Sequence, residues 1–246
     1  MRWLSYFLKC ILGGFIAMQV YFFVQVGIWS FVDPSSTAFQ RAERWRLCGI
    51  SWSCPIQSSW VPYDKISANL KRAVLVSEDD IFFQHMGVRV EDMQKAWEKN
   101  QKKILGSTKA KTPLRGGSTI TQQLAKNLFL SSEQNYFRKA QELLITGLLE
   151  TMLSKKRLYE IYLNSVEWGE GIFGIGAASQ HYYRISPASL DREQSAALAS
   201  ALPAPKCFDK SSYCRKANIH FPTRQNFILE NMDRVSLTPA EKSKTR

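Results

Sequence analysis

One uninterrupted apolar run near the N-terminus constrains this chain more than any other feature. Cys10 to Val32 carries no charged residue, and its plainly polar side chains are Gln19, Gln25 and Ser30. Wound as a helix it spans roughly 34 Å at about 1.5 Å per residue, enough for the hydrocarbon core of a bilayer. Trp3 and Trp29 lie near its two ends, where indole rings favour the membrane–water interface. Arg2 and Lys9 precede the run and Asp33 follows it, so the positive-inside rule places the N-terminus in the cytoplasm and the remainder outside. A cleaved signal peptide is the competing account. The run is longer than a typical signal core and no small-x-small site ends it, so it reads as an anchor.

About 210 residues remain, enough for one substantial hydrophobic core. The formal charge of +12 favours anionic partners: nucleic acid, acidic headgroups or phosphorylated small molecules. An anchored, exported domain argues against nucleic acid. Export also permits disulfides. Cys48, Cys54, Cys207 and Cys214 allow three connectivities, of which the local pairs, Cys48 with Cys54 and Cys207 with Cys214, are the simplest. Their spacing and the three histidines do not suit a structural zinc.

Past the anchor, Pro34 to Pro62 lacks a clear period and reads as a stalk or an amphipathic lead-in. Trp45, Trp52 and Trp60 suit either the lipid interface or the edge of a core. Helical patterning starts at Ile66 and leads to Glu78, and a further helix is expected from Val90 through Trp97. Lys95 to Arg115 then forms a basic stretch, with Lys95, Lys99, Lys102, Lys103, Lys109, Lys111 and Arg115 against Glu98. Gly116-Gly117-Ser118-Thr119 reads as a turn into a helix. Thr119 and Gln122 have capping-box spacing, and Ile120, Leu124 and Leu128 form a core stripe. Helices are predicted over Tyr136–Leu153, with Leu144, Leu148 and Met152 on one stripe, and from Lys155 to Asn164. Gly169 to Gly176 breaks the pattern, and helicity resumes through Tyr182. Asp191 and Gln194 suit a cap on an alanine-rich helix ending before Pro203, and Pro222 suits the first turn of a last helix through Met232. No alternation supports a large sheet, so the fold class is mainly α.

Three polar clusters carry candidate chemistry. Glu78-Asp79-Asp80 crowds three acids at the negative end of a helix dipole, a setting that can raise a carboxylate into use as a base; a solvated helix end is the plainer account. Arg138, Lys139 and Glu142 share a helical face, as an ordinary surface ion pair does. Together they also offer a carboxylate, a fork-like donor and an ammonium on one rigid element, which suits a substrate bearing sugar and phosphate. Ser118, Thr119, Thr121, Gln122, Gln123 and Lys126, with free amides at a helix start, suit an anion, although they also describe a well-capped polar helix.

In order along the chain these segments resemble the glycosyltransferase family of bacterial cell-wall synthases, in its monofunctional biosynthetic peptidoglycan transglycosylase form. Glu78-Asp79-x-x-Phe82-x-x-His85-x-Gly87 resembles a first motif and Gly116 to Asn127 a second. Arg138-Lys139-x-x-Glu142 with Leu149-Glu150 resembles a third, Lys155-Lys156-Arg157 through Tyr162-Leu163-Asn164 a fourth, and Ala177-Ala178 to Tyr182-Tyr183 a fifth. The resemblance implies a lysozyme-like helical domain with a cleft open towards the membrane. Its implied substrates are lipid II and a lipid-linked glycan. It implies Glu78 as general base and Glu142 as a second glutamate that orients or stabilises the reacting groups. Gln123, Lys126, Arg138 and Lys139 would hold the pyrophosphate, with Ser118, Thr119 and Gln122 lining the same region. Asp79, Phe82, His85 and Asn164 would support the cleft, and Asp80, an acid where the family often has a base or amide, would perturb Glu78.

The organisation implied is a cytoplasmic N-terminus (1–9), a transmembrane helix (10–32), a juxtamembrane segment (33–59), a glycosyltransferase domain (60–235) and a C-terminal tail (236–246), at the bacterial inner membrane with the domain periplasmic. No room is left for a transpeptidase domain, so cross-linking is not expected. No cofactor is required, with a divalent cation such as Mg2+ as an option and no confident metal ligand. Partners are the bilayer and cell-wall synthesis or division proteins. A lysozyme-like hydrolase and a non-catalytic membrane scaffold are the rival readings. The basic clusters count against the hydrolase, which has no pyrophosphate to hold.

Overall fold

The computed structural model describes residues 2–49, 56–89, 118–131, 133, 135–209, 214 and 219–238. The helix expected from Val90, the basic stretch 95–115, Gly116, Gly117, Trp52, Cys54 and residues 239–246 lie outside them.

Helix α1 (Arg2–Trp29) is continuous, so much of the expected 1–9 tail joins the apolar run, while Ser30 to Val32 turn out of the helix. It is long and apolar enough to cross a membrane. Most of its apolar side chains are exposed, among them Leu4, Phe7, Ile11, Phe15 and Phe23, whereas Phe22, Val26 and Trp29 are buried. A surface so apolar is consistent with a membrane anchor. The buried face docks on the domain: the rings of Phe22 and Trp29 each lie 4.9 Å from that of Phe129. Arg157 closes the helix end, donating from Nε to the carbonyl of Trp29 and from Nη2 to that of Val32, both at 2.9 Å. A cation thus meets the orphan carbonyls at the negative end of the dipole.

Helix α2 (Ala38–Cys48) occupies the segment in which no period was legible. Thr37 and Gln40 form a capping box. Buried Glu43 accepts from Arg46 and, at 2.8 Å, from Lys206, which ties α2 to the far end of the domain. Trp60 packs partly buried on the core, the second of the two expected settings, while Trp45 is exposed.

The domain has two helix groups. Helix α3 (Ala68–Glu78) is followed in chain order by α4 (Ile120–Phe129), α5 (Tyr136–Met152) and α6 (Lys155–Ser165). Then come α7 (Gly174–Tyr183), α8 (Arg192–Ala201), the short α9 (Pro205–Phe208) and α10 (Phe221–Asn231). Helix α3 packs against α8 and α10, while α4 packs against α5 and α6. Ile120, Leu124 and Leu128 are all buried, as their spacing requires. On α5 the deepest residues are Glu142, Ile145, Thr146, Leu149 and Glu150. The Leu144–Leu148–Met152 stripe lies beside them: Leu144 is exposed, and Met152 sits against Gly27 of α1.

The glycine-rich stretch makes a small sheet and a helix start. Strand β1 (Gln57–Ser58) runs parallel to β3 (Ile172–Phe173), and β2 (Glu167–Gly169) pairs antiparallel on the other side of β3. Gly174 is required there: its φ is +77°, and a Cβ would lie 2.6 Å from the carbonyl oxygen of Asn164. Asp191 and Gln194 form the expected capping box on α8, and Pro222 sits in the first turn of α10. Cys207 is bonded to Cys214, and Cys48 is also disulfide-bonded.

Burial pushes the Glu167 carboxyl up to about 7 from an ordinary 4.5; Lys206, 3.7 Å away, opposes that shift. Between those values the folded chain binds a proton that the unfolded chain releases, so this residue's contribution to stability falls as pH rises through that window. Thermal melts in detergent at pH 5 and pH 8 should show the wild type losing more stability than Glu167→Gln on going to pH 8. Equal losses would count against a buried, proton-binding Glu167.

Candidate active site

The two helix groups meet at Asp79. This residue ends α3, and its carboxylate is fully buried. It accepts from the backbone N–H of Ile120 at 3.1 Å, the first residue of α4, and from His85 Nε2 at 2.9 Å on each oxygen. The Gly87 N–H donates to His85 Nδ1 at 3.0 Å, so the ring carries its proton on Nε2 and donates it to Asp79. Thr119 Oγ1 donates to the Gly87 carbonyl at 2.6 Å. Gly87 has φ +76°, and a Cβ there would lie 2.7 Å from both Glu150 Cγ and Thr146 Cγ2. The acid run is therefore no solvated helix end, because Asp79 joins the end of one helix to the start of another. Asp80 pairs with Arg89 at 3.2 Å, which offsets its charge beside Glu78.

The same joint takes up three of the amides expected to be free at the start of α4. The Ile120 N–H goes to Asp79, that of Gln122 to Thr119 Oγ1, and that of Thr119 to Gln122 Oε1. Thr119 is 3% exposed, and its hydroxyl is engaged by Gly87 and Gln122, so it supports the site rather than offering a hand to an anion.

Glu78, in the last turn of α3, is half-buried. Ser77 Oγ donates to its Oε1 at 2.8 Å, and Gln123 Nε2 donates to its Oε2 at 2.9 Å. The Tyr162 hydroxyl donates to Gln123 Oε1 at 3.0 Å, which settles which end of the amide faces Glu78. Burial, followed by the charges of Glu78 and Asp79, pushes the Tyr162 phenol well above its ordinary value, so it remains a donor.

Gln123 connects Glu78 to a cavity of about 500 Å³ lined by Ser118, Gln122, Gln123, Lys126, Arg138, Lys139 and Glu142, with Asn135 and Tyr136 at its edge. Glu142 is 2% exposed. One of its oxygens accepts from Arg138 at 2.7 Å and the other from Lys139. Breaking such a buried pair is costly, so Glu142 holds both cations in place. Arg138 Nε is buried without a hydrogen-bond partner among the described residues. Lys126 Nζ lies 5.3 Å from the centre of the Phe39 ring.

The remaining expected residues lie elsewhere. Phe82 is fully buried against Phe83 and Tyr159, with Lys155 Nζ 4.3 Å from its ring centre. Asn164 pairs reciprocally with the Val61 backbone, its Oδ1 accepting and its Nδ2 donating at 2.8 Å, which pins the segment after β1 to α6. Sequence reasoning missed Ser77 and Tyr162 as neighbours of Glu78; Ser77 carried the signal of a hydroxyl adjacent to the candidate base. A larger cavity of about 660 Å³ lies by α2, lined by Phe39, Ala42, Phe129 and Phe173 among others. Its acids and bases pair with one another, as Glu43 does with Arg46 and Lys206, and it lacks Glu78's network.

Through Gln123 the Glu78 carboxylate is linked to a cavity furnished with tethered cations, an arrangement suited to a group-transfer enzyme. Residues 50–233 match the family described as Transglycosylase. The chain is 56% identical over 238 residues to the biosynthetic peptidoglycan transglycosylase of Cupriavidus metallidurans, covering 96% of this chain and 99% of that one. It is 52% identical over 238 residues to the protein of the same name from Ralstonia nicotianae, with coverage of 96% and 99%. It is 51% identical over 240 residues to that of Burkholderia multivorans, with coverage of 98% and 94%. The chain belongs to the biosynthetic peptidoglycan transglycosylase family.

Asp79→Ala leaves the Ile120 N–H and the His85 donor without their charged acceptor. It should cost about 3 kcal/mol in chemical denaturation, the range for hydrogen bonds to a charged group. A loss below about 1 kcal/mol would mean that this joint does not hold the helix groups together.

Proposed function

We propose that this protein polymerises the glycan strands of peptidoglycan at the outer face of the bacterial inner membrane. The acceptor is lipid II and the donor is the growing glycan on undecaprenyl pyrophosphate. Glu78 takes the proton of the acceptor's glucosamine 4-hydroxyl as that oxygen attacks the anomeric carbon of the donor's muramic acid residue. A β-1,4 bond forms with inversion, the bond from the anomeric carbon to the phosphate oxygen breaks, and polyprenyl pyrophosphate leaves. Such proton removal is worth about 10²–10⁴-fold in rate. Arg138, Lys139 and Lys126 offset the charge gathering on the leaving group, and Ser118, Gln122 and Gln123 help to seat it.

The observation that carries this reading is the single amide of Gln123, which touches Glu78 while lining the cavity that holds Arg138, Lys139 and Glu142. A divalent cation such as Mg2+ would need a carboxylate at this cavity, and both oxygens of Glu142 are already engaged by cations. The side-chain cations suit the pyrophosphate directly, so no cofactor is required in this reading.

The anchor supports a membrane-borne substrate. Gln19 and Gln141 exchange amide hydrogen bonds at 3.2 and 3.3 Å, and Met152 meets Gly27, so α5 runs alongside α1 in the same direction. With α1 spanning the bilayer, Gln141 lies about 15 Å along the helix below Trp29, taking about 1.5 Å per residue. The start of α5 then reaches membrane depth. Tyr136 and Phe137 there are 91% and 90% exposed, as side chains that meet lipid rather than water would be. The cavity they flank opens where a polyprenyl-linked sugar enters. The N-terminus is cytoplasmic and the domain periplasmic in this arrangement.

Purified protein supplied with lipid II should yield glycan polymer and free polyprenyl pyrophosphate, and Glu78→Gln should lower kcat by about 10²-fold or more. Cleavage of preformed glycan without polymerisation would favour a hydrolase, and full activity in Glu78→Gln would remove the base. Replacing Tyr136 and Phe137 together with serine should raise KM for lipid II in vesicles while leaving the thermal midpoint close to that of the wild type. An unchanged KM would place these side chains away from the lipid.

A further inference from the structure

The carboxylate of Glu78 has a second support, which reaches it from the far end of the chain. Ser77 Oγ lies 2.8 Å from Glu78 Oε1 and 3.0 Å from the carbonyl oxygen of Ala199 on α8. Arg224, on α10, donates from Nη2 to Ser77 Oγ at 3.2 Å. Neither Ser77 nor Arg224 lines the cavity. We infer that Ser77, held by Arg224, positions the Glu78 carboxylate for proton abstraction and exchanges its own hydroxyl bond as Glu78 changes protonation state. This inference rests on Glu78 being the base.

The physical argument concerns one proton with two acceptors. A serine hydroxyl donates once. Arg224 occupies a lone pair on Oγ, which turns the hydroxyl proton away from α10 and towards Glu78 and Ala199. An ionised carboxylate is the stronger acceptor, so the proton goes to Oε1 while Glu78 is a base. With Gln123 on Oε2, both carboxylate oxygens are then fixed by neutral donors, and the plane of the group is set. Each oxygen keeps a lone pair for the incoming sugar proton. When that proton arrives, the carboxyl becomes a weaker acceptor, and the Ala199 carbonyl is already within reach of the Ser77 hydroxyl. The serine donor therefore has a partner before and after the transfer, and no backbone has to move. Arg224 acts through Ser77 and touches no reacting atom. Its Nε is buried with no hydrogen-bond partner among the described residues, so its orientation depends on the Nη2 contact and on packing.

The test is a double-mutant cycle on the full-length protein in detergent with lipid II, with Glu78→Gln as a reference. Ser77→Ala should lower kcat about ten-fold, less than the roughly 10²-fold cost of a 1 Å misplacement, with KM within about two-fold of the wild type. Arg224→Met should do the same. Arg224→Lys, which can still donate to Oγ, should recover kcat to within about three-fold of the wild type. The double variant Ser77→Ala with Arg224→Met should be no more than about two-fold worse than either single variant, because both remove one linkage. The proposal is overturned if the two effects multiply, if Arg224→Lys is as poor as Arg224→Met, or if KM moves while kcat does not. If thermal melts show Arg224→Met unfolded at the assay temperature, Ser77→Ala and Arg224→Lys decide the matter, and wild-type kcat in Ser77→Ala overturns it. A silent Ser77→Ala beside an inactive Glu78→Gln removes the positioning role and leaves the base reading intact, whereas an active Glu78→Gln removes the base itself.

Discussion

A buried carboxylate governs the geometry of this domain. Asp79 has no access to water, so its charge is tolerable only if it is met by donors. The donors it has are the first amide of α4 and the imidazole of His85. Meeting that need forces the end of α3 against the start of α4. Everything that matters for chemistry then follows from short connections. Glu78 precedes Asp79 and so emerges at the seam, and Gln123 lies one helical turn past Ile120 and so faces it. The capping box of Thr119 and Gln122 and the turn at Gly87 brace the same seam, which is why Thr119, an anion ligand by its place in the sequence, serves here as scaffolding.

A second constraint is the docking of the apolar helix. A membrane helix joined to a domain by a loose stalk would leave the cavity free to point anywhere. Here α1 is held at three levels: Arg157 on its terminal carbonyls, Phe129 against Phe22 and Trp29, and Gln141 against Gln19. Helix α2 is in turn clasped by Lys206 through Glu43. The orientation of the cavity to α1 is thus a property of the fold. It also gives the cations a reason to be tethered. Arg138 and Lys139 lie on the helix that packs along α1, and Glu142 offsets part of their charge.

Much of the helical order was legible because it follows from local chemistry. Caps such as Asp191 with Gln194, the Ile120–Leu124–Leu128 stripe and the proline at the start of α10 depend on residues within one or two turns. The illegible parts depend on distant partners. Helix α2 has no apolar period because its buried face is held by a charge, Glu43, whose partner lies in α9. The Leu144–Leu148–Met152 stripe divides, with Leu144 exposed, Leu148 and Met152 packed on the edge of the core, and Met152 against Gly27 of α1. In the same way Glu78, Asp79 and Asp80 read as one crowded cluster, although the fold sends them to three different sets of partners.

The sequence by itself determined the apolar span, the mainly α class, the succession of helices and the residue types available for chemistry, since hydrophobic period, capping and charge act over a few residues. Only the tertiary structure decided that Asp79 is a joint while its neighbour Glu78 is tied through Gln123 to a cavity, that Glu142 restrains two cations, and that Ser77 and Arg224 stand behind Glu78. The physical reason is that a carboxylate's role is set by the donors around it, and the donors that separate Glu78 from Asp79, namely Gln123 on the one and the Ile120 amide with His85 on the other, meet them only through packing.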